Sequence, residues 1–367
     1  MSQHDFLPIQ DFDYVEWYVG DAAQAAYYLS HGWGFTPIAY AGLETGVRDH
    51  SSYVLKQGNV RFVVTSPYGS EGAMAEHIKL HGDGVKDIAF RVDDAEQAFR
   101  EATNRGAQGV MEPTVRKDDD GMVKLASIAT YGETIHTFVE RQGYKGTFLP
   151  GFGRLATNTR RRARPAGLVA IDHVVGNVEL GKMNEWVAFY ERVLGFSQFI
   201  HFDDRAISTE YSALMSKVMQ NGSGRIKLPI NEPAPGRKKS QIEEYLECYA
   251  GPGVQHIALT TDDIVSTVRN LQERGIPFLQ TPLNYYEDMP DRVGHIAEDM
   301  RDLAELSILV DRDEEGYLLQ LFSKPVVHRP TVFFEVIERK GARGFGEGNF
   351  KALFEALERE QERRGNL

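Results

Sequence analysis

Hydrophobic and polar residues alternate or recur with two periodicities along this chain, and these predict both strands and amphipathic helices. Residues 137–141 and 335–339 alternate as strands do when they line one face of a sheet. Near the C-terminus four apolar residues follow the i, i+3, i+4, i+7 spacing of a helix: Phe350, Leu353, Phe354 and Leu357. Such a helix docks its apolar face on another surface. The patterns therefore predict an α+β fold with a docked C-terminal helix.

The chain repeats its own pattern, and this duplication indicates its architecture. Residues 12–15, followed by a helical stretch that ends at 34–35, match residues 171–174 with a helical stretch that ends at 195–196. Further on, residues 82–106 and residues 251–275 share three features in the same order: a strand, an Asp-Asp pair and a helix that stops at Arg-Gly. A third match joins the strands at 137–141 and 335–339. The chain therefore contains two copies of one arrangement.

The spacing of the matched positions indicates where the second copy is longer. Matched residues lie 159, 169 and then 198 positions apart, so the second copy has grown by insertion. Acidic and turn-forming residues at 285–302 and 311–316 predict surface loops or a short helix there. Residues 151–167 combine Gly, Pro and Thr with a basic cluster and no periodicity, which is typical of a linker. We expect a first domain at 1–150 and a second at 168–367.

Charge and cysteine content narrow the classes of partner. The chain has 41 Lys and Arg against 53 Asp and Glu, a net charge of −12 that is spread along its length, which argues against nucleic acid. One cysteine, Cys248, excludes an internal disulfide and a Cys-ligated metal centre and favours a reducing compartment. No signal peptide is evident, and no apolar run approaches the roughly 18 residues of a membrane span. We expect a cytoplasmic protein with no membrane partner.

The two copies differ at three matched strand positions, and the difference predicts a metal site. The second copy carries three potential ligands: His173, His256 and Glu335. The first copy carries Tyr14, Asp87 and Thr137 at the same places. Paired strands bring distant residues to one point, and two imidazoles with one carboxylate leave metal positions open for substrate and O₂, as in non-haem Fe(II) oxygenases. We expect iron in the second copy and none in the first.

Structural alternatives exist for each of these residues. A single histidine is more often a surface or capping residue, and Glu335 would be unremarkable on the solvent face of an edge strand. The apolar neighbours of Glu335 favour burial, however, and a buried carboxylate must be paired or bound to a metal. Seven other histidines lie at unmatched or loop positions and are interpreted as structural: His50, His77, His81, His136, His201, His295 and His328.

Four segments resemble one protein family closely: 227–235, 239–242, 253–258 and 344–350. They are similar to the vicinal-oxygen-chelate superfamily and, within it, to the 4-hydroxyphenylpyruvate dioxygenase family. The similarity extends over nearly the whole chain, from residue 40 to the C-terminus. It implies two tandem open β-barrel domains built from paired βαβββ modules. It also implies that the first barrel serves as scaffold or in oligomerisation, that the second holds the iron, and that the C-terminal helix is a lid.

The resemblance also implies roles for residues of the second barrel. His173, His256 and Glu335 would be the Fe(II) ligands. Four polar residues would form a wall beside the substrate: Ser216, Asn231, Gln241 and Gln255. Seven more would complete the substrate pocket: Pro229, Gln320, Phe322, Phe333, Phe345, Asn349 and Phe350. Aromatic rings supply an apolar slot for a phenol, and amides and a hydroxyl can hold its OH group.

The reaction implied by the resemblance converts 4-hydroxyphenylpyruvate and O₂ to homogentisate and CO₂, in the breakdown of tyrosine and phenylalanine. It combines oxidative decarboxylation, ring hydroxylation and side-chain migration, with one Fe(II) per chain and no 2-oxoglutarate, haem or nucleotide. A homodimer or homotetramer is expected. Three alternatives remain: 4-hydroxymandelate synthase with the same substrate and iron site, a sequestering protein without turnover, and a glyoxalase-like isomerase.

Overall fold

The computed structural model describes residues 6–155, 164–202, 213–234, 236, 238–287 and 289–366. Among them, nine strands form a first sheet: β1 Ile9–Tyr18, β2 Thr36–Ala41, β3 His50–Gln57, β4 Val60–Pro67, β5 Gly84–Val92, β6 Gly109–Asp118, β7 Gly121–Ala129, β8 Ile135–Glu140 and β9 Gly153–Arg154. Their order across the sheet is β6-β7-β8-β5-β1-β4-β3-β2-β9.

A second sheet takes eight strands from the described part of the chain: β10 Leu168–Asn177, β11 Ser197–Phe202, β12 Ala213–Gln220, β13 Lys227–Ala234, β14 Gly253–Thr261, β15 Leu309–Arg312, β16 Tyr317–Phe322 and β17 Phe333–Lys340. Their order is β11-β12-β13-β10-β14-β17-β16-β15. In each sheet the two modules meet through an antiparallel pair, β1 with β5 and β10 with β14.

The helices complete the repeated modules. Those within the described residues are α1 Ala22–His31, α2 Ala73–His81, α3 Ala95–Asn104, α4 Met183–Leu194, α5 Gln241–Tyr249, α6 Ile264–Glu273, α7 Asn284–Glu287, α8 Met289–Val293, α9 Met300–Leu306 and α10 Glu347–Arg364. Each module reads β, α, β, β, β, beginning at β1, β5, β10 and β14, with α7 to α9 inserted in the last. The predicted α+β fold of two curled sheets made of paired βαβββ modules is confirmed.

Local sequence signals explain the matched helices. The side chains of Asp94 and Asp263 accept hydrogen bonds from backbone N–H groups of the first turns of α3 and α6, so the second residue of each Asp-Asp pair is a helix N-cap. Both helices end at arginine, and the glycine that follows has a positive φ, +96° at Gly106 and +84° at Gly275. Glycine adopts this left-handed conformation without the strain that a side chain adds.

One hydrophobic core is shared by the two sheets. The ring of Phe334, on β17, packs among three aromatic side chains of the first half, with centroid separations of 4.6 Å to Trp33, 5.5 Å to Phe62 and 5.7 Å to Trp17. Phe334 and Trp33 are fully buried. Because burial of an aromatic side chain is worth several kcal/mol, this contact holds the two halves together.

The insertion in the second half has an exposed side and a buried side. Residues 285–302 contain most of α7, all of α8 and the start of α9, and most of the described residues among them are exposed or half-buried, as predicted for a short helix on the surface. Tyr286, Met289 and Val293 are buried against the core, which the acidic composition did not indicate. The insertion supplies apolar side chains that cover its own sheet. Residues 311–316 lie at the end of β15 and in the turn that follows.

The segment predicted as a linker is partly structured. Residues 153–154 pair with β2 as β9, and the backbone N–H of Ala166 donates to Oε1 of Gln57 at 2.6 Å. Residues 156–163, with most of the basic cluster, lie outside the described residues. Within the described residues no helix is both long enough and apolar enough to cross a membrane.

Candidate metal centre

The three potential ligands lie on neighbouring strands of the second sheet. His173 is on β10, His256 on the adjacent β14 and Glu335 on β17, and the registers pair His173 and Glu335 with the same residue, Ala258. All three side chains are buried. The sheet therefore brings three residues that are far apart in sequence onto one face. His173 and Glu335 are in register with each other, and His256 lies two residues away along β14.

The side-chain atoms converge on one point. Nε2 of His173 lies 3.3 Å and Nε2 of His256 lies 3.4 Å from Oε2 of Glu335, and one ligand atom from each residue lies within 4.8 Å of the others. Burial alone would raise the pKa of Glu335, but the adjacent imidazoles of His173 and His256 outweigh it and lower the pKa. The carboxylate form is therefore favoured, as a metal ligand requires.

Hydrogen bonds on the outer side of each imidazole fix its orientation. Nδ1 of His173 lies 2.7 Å from Oδ1 of Asp172, and Nδ1 of His256 lies 2.9 Å from Oε1 of Gln255. Because carboxylate and amide oxygens accept, each Nδ1 donates its proton, and in the neutral ring that a metal binds each Nε2 directs a lone pair at Glu335. Three electron-rich atoms facing one another suit a cation between them, so these residues fit a metal ion.

A buried ion pair supports His173 from behind. Arg339 donates to Asp172 from Nε at 2.7 Å and from Nη2 at 2.8 Å, and its Nη1 donates to the carbonyl O of Gly344 at 2.7 Å. Burial would raise the pKa of Asp172, but the hydrogen bonds and charges of Arg339 and His173 hold it well below its usual value. Asp172 and Arg339 are functional candidates that the sequence analysis did not identify.

The first half contains the same ion pair without the ligands. Arg141 donates to Asp13 from Nε at 2.8 Å and from Nη2 at 2.5 Å, in the place that Arg339 and Asp172 take in the second half. An Asp and an Arg therefore recur at matched positions of the two halves, and from this recurrence the sequence could have predicted the pair of Asp172 and Arg339. Beside it, Tyr14 and Thr137 donate side-chain hydrogen bonds to Asp87. Burial raises the pKa of Asp87 to about 7.

A cavity adjoins the candidate ligands. The space between its lining side chains, with its opening to solvent, amounts to about 560 Å³. The lining includes the three candidate ligands and most of the predicted pocket residues: Ser216, Pro229, Asn231, Gln241, Gln255, Phe322, Phe333, Phe345 and Phe350. Four further apolar residues line it: Val175 and Val218, which the sequence analysis did not single out, and Leu353 and Phe354, which it placed on the apolar face of the C-terminal helix but not in the pocket.

The cavity has an aromatic side next to the histidines. Phe333 stacks on His256 with a centroid separation of 4.9 Å and an interplanar angle of 20°, and Phe345 meets His173 at 4.9 Å and 61°. Phe322 meets His256 edge to face at 6.0 Å. These rings place apolar surface beside the two ligand histidines, which disfavours water on that side of the cavity.

Polar groups occupy another part of the lining. Ser216 on β12 lies opposite Asn231 on β13 in the strand register, and Gln241 is the first residue of α5. Gln255 also lines the cavity, and its Oε1 accepts a hydrogen bond from Nδ1 of His256. It therefore orients this candidate metal ligand as well as facing the cavity. The arrangement offers hydroxyl and amide groups to an oxygen-bearing ligand.

Two predicted pocket residues do not line the cavity. Gln320 is buried beside Gly346, at the start of α10, and Asn349 accepts a hydrogen bond from the OH of Tyr285 at 2.6 Å. Both are almost fully buried, at the junction between α10 and the sheet. Their position indicates that they hold the helix in place in this conformation.

The structure also shows where the other histidines lie. His136 is fully buried and both its ring nitrogens are bound, Nδ1 to the carbonyl O of Ile88 and Nε2 to the OH of Tyr190, as expected of a structural residue. His50 is half-buried beside Asp49. His295 and His328 are exposed. The side chain of His201 lies outside the described residues.

Family models match both halves of the chain. Residues 4–149 match the model described as Hydroxyphenylpyruvate dioxygenase, HPPD, N-terminal. Residues 170–321 match the Glyoxalase/Bleomycin resistance protein/Dioxygenase superfamily.

Named relatives are similar over nearly their full length. The chain is 50% identical to 4-hydroxyphenylpyruvate dioxygenase of Yarrowia lipolytica, over 97% of this chain and 93% of that protein. It is 49% identical to the enzyme of that name from Dictyostelium discoideum, over 98% and 100%. A solved structure, a mutant of 4-hydroxymandelate synthase from Streptomyces coelicolor, superposes with a TM-score of 0.85 at 36% identity, over 97% and 100%. By these similarities, the chain belongs to the 4-hydroxyphenylpyruvate dioxygenase family.

Proposed function

We propose that this chain is an Fe(II)-dependent dioxygenase that converts 4-hydroxyphenylpyruvate and O₂ to homogentisate and CO₂. The observation that carries the proposal is the buried group of His173, His256 and Glu335 at the wall of an aromatic cavity. Relatives named for this activity are about half identical over nearly the whole chain, which supports it. Sequestration without turnover would be expected to dispense with such a ligand set.

The donor set suits iron. Two imidazoles and one carboxylate match the ligand type of non-haem Fe(II) oxygenases, and His173, His256 and Glu335 would hold the metal through Nε2, Nε2 and a carboxylate oxygen. Bound there, Fe(II) supplies the redox chemistry that joins O₂ to the decarboxylation of a 2-oxo acid. The protein contributes binding, orientation and exclusion of water.

The aromatic side of the cavity would bind the phenol ring of the substrate. Phe333 and Phe345 lie against the two histidines, so a ring between them and Phe350 stays close to the metal ligands. Ser216, Asn231 and Gln241 would then face the polar atoms of the substrate. Their hydroxyl and amide groups can donate to an oxygen that gains negative charge as the ring is hydroxylated.

Helix α10 would act as a lid over this cavity. Phe350, Leu353 and Phe354 on α10 line the cavity, and the helix is preceded by Gly346, whose φ is +77°. A glycine at this point lets the backbone change direction without side-chain strain. Closure of α10 would exclude water while the reactive oxidant exists.

Identification of the aerobic product tests the proposal. Iron-loaded protein is incubated with 4-hydroxyphenylpyruvate and O₂, and the product is identified by chromatography; homogentisate is expected. His256→Ala should lose both iron and turnover. Asp87→Ala, at the matched position of the first half, should keep both and lose only stability. Absence of homogentisate from the iron-loaded protein, or loss of iron in the Asp87 variant alone, would refute the assignment.

A second candidate is 4-hydroxymandelate synthase, which the TM-score of 0.85 to a structure of that name favours. The identity of 36% is lower than the 50% shared with the Yarrowia dioxygenase, so the dioxygenase is preferred. The same experiment decides, because that activity gives 4-hydroxymandelate as the product.

We further propose that the chain forms a homodimer or homotetramer in the cytoplasm. β6 is an edge strand of the first sheet, and Val110, Val115 and Met122 on its hairpin with β7 are exposed. An exposed strand edge with apolar side chains favours association with another chain. Light scattering during size-exclusion chromatography measures the mass; a monomer would exclude this association.

A further inference from the structure

A second cluster of potential metal ligands lies in the first half, away from the candidate iron site. His77 and His81 are four residues apart on α2 and therefore share one face of the helix. Glu133, in the turn between β7 and β8, approaches the same face. One ligand atom from each residue lies within 4.8 Å of the others, and both histidines are only 3% exposed.

The hydrogen bond on the far side of His81 directs its other nitrogen into the cluster. Nδ1 of His81 lies 2.5 Å from the carbonyl O of Tyr249. A carbonyl only accepts, so Nδ1 carries the proton and Nε2 of the neutral ring has a lone pair. That Nε2 is buried without a hydrogen-bond partner and lies 3.7 Å from Oε2 of Glu133. A lone pair next to a carboxylate oxygen is repulsive, and a proton on Nε2 or a cation between the two atoms removes that repulsion.

His77 adds a second imidazole to this arrangement. Its Nδ1 lies 2.5 Å from Oε2 of Glu133, and because a carboxylate oxygen only accepts, this nitrogen donates a proton that a bound metal would replace. Nε2 of His77 is also buried without a hydrogen-bond partner. Lys86 approaches Glu133 as well, but its Nζ donates to the backbone carbonyl and leaves the carboxylate to the histidines. The side chain of Glu133 is 48% exposed, which provides a route for an ion from solvent.

We propose that His77, His81 and Glu133 form a second metal site that takes a divalent cation of the zinc type. Two imidazoles and one carboxylate are preferred ligands of such ions, and a water molecule completes the fourth position on the exposed side. The contact between His81 Nδ1 and the carbonyl of Tyr249 is the outer-side support that metal-bound histidines commonly have.

The proposed site lies where the two halves of the chain meet. The ring of His81 stacks on Tyr249, at the end of α5, with a centroid separation of 4.5 Å. Arg329 donates to the carbonyl groups of Leu80 and Cys248, which joins the ends of α2 and α5. A bound ion would therefore tie α2 to the turn between β7 and β8 and would fix His81 in its contact with Tyr249, so that it stabilises the junction rather than takes part in the reaction.

Zinc binding to the iron-loaded enzyme tests this proposal. Zinc is titrated anaerobically against a coloured zinc chelator, and zinc and iron per chain are measured by elemental analysis. Glu133→Gln is the main variant, because a half-exposed side chain can be changed without loss of the fold. Glu76→Gln is the matched control. It also removes one negative charge, but at an exposed position of α2 that is paired with Lys79 and lies outside the cluster.

Wild type and Glu76→Gln should each bind one additional zinc ion per chain that Glu133→Gln does not bind, or binds at least about tenfold more weakly. Iron content and product formation should be the same in all three proteins. Zinc should also raise the thermal midpoint of the first two proteins alone. His81→Gln should behave like Glu133→Gln. Equal zinc binding by all these proteins, or zinc that only replaces iron to the same extent in each, would overturn the proposal.

Discussion

Replacement of Asp172 by Asn separates the support of a metal ligand from the stability of the fold. Asp172 accepts one hydrogen bond from Nδ1 of His173 and two from Arg339, and it is 7% exposed. Asn is nearly the same size but has no charge and offers one carbonyl oxygen. His173 therefore loses the carboxylate that orients it and makes Nε2 a stronger donor to the metal.

The structure sets the size of both effects. Loss of one partner from a buried ion pair costs about 3–5 kcal/mol, and the lower end applies because Arg339 keeps the carbonyl groups of Ala342 and Gly344 as acceptors. We expect the free energy of unfolding to fall by about 3 kcal/mol. Removal of an outer-side partner of a metal ligand lowers metal affinity by about 10–100-fold, which is about 1.4–2.7 kcal/mol of binding free energy.

The assays are denaturant unfolding of the metal-free protein and anaerobic Fe(II) titration against a competing chelator. Asp13→Asn is the matched control, because Asp13 faces Arg141 in the same way but has Tyr14 where the second half has His173. The Asp13→Asn variant should lose at least as much stability as Asp172→Asn, because Arg61 and Arg91 also face Asp13. Its iron affinity should not change. If Asp172→Asn loses stability yet binds iron as tightly as wild type, the proposed role of His173 is refuted.

Three further predictions concern the core, the lid and the first half. Phe334→Ala should lower the free energy of unfolding by about 3–5 kcal/mol in urea, because it empties a fully buried site between the halves, whereas Leu283→Ala, at a 72% exposed position, should cost less than about 0.5 kcal/mol. Gly346→Ala should reduce turnover with iron retained, because φ is +77° and a Cβ would lie 2.5 Å from Oε1 of Gln320; unchanged kcat would contradict a closed lid. Asp87 has its pKa raised by burial from 3.8 to about 7, so the folded protein binds this proton more tightly and wild type should lose stability as pH rises from about 4 to 7. Asp87→Asn removes this dependence. Relative to that variant, wild type should lose about 4 kcal/mol of stability between pH 4 and pH 8 in unfolding titrations, and a constant difference would refute the shift.

The candidate ligands could be predicted because a duplicated sheet keeps its register. His173, His256 and Glu335 lie at matched strand positions, and the strands that carry them are neighbours in the structure. Strand pairing alternates side chains between two faces, so matched positions in a repeat point to the same side of the sheet. The sequence therefore indicated which residues meet, although they are about 80 positions apart.

Contacts of the polar residues around the site were harder to predict. Asp172 and Arg339 are separated by 167 residues, and neither residue type indicates a buried partner by itself. Only the recurrence of an Asp and an Arg at matched places, Asp13 and Arg141, carried that information. For His77 and His81 the helical spacing places two imidazoles on one face, but Glu133 comes from a turn whose position depends on the packing of the first sheet.

The sequence by itself determined the duplication, the module order, the strand and helix types and the copy that carries two imidazoles and a carboxylate, because these follow from local periodicity and matched positions. The tertiary structure decided which residues line the cavity. Gln320 and Asn349, which the family resemblance placed in the pocket, lie outside that lining. It also buried Tyr286, Met289 and Val293 within an insertion that is otherwise largely exposed, as its acidic composition predicted. Burial and contact depend on where separate elements pack against one another, and local periodicity does not specify that arrangement.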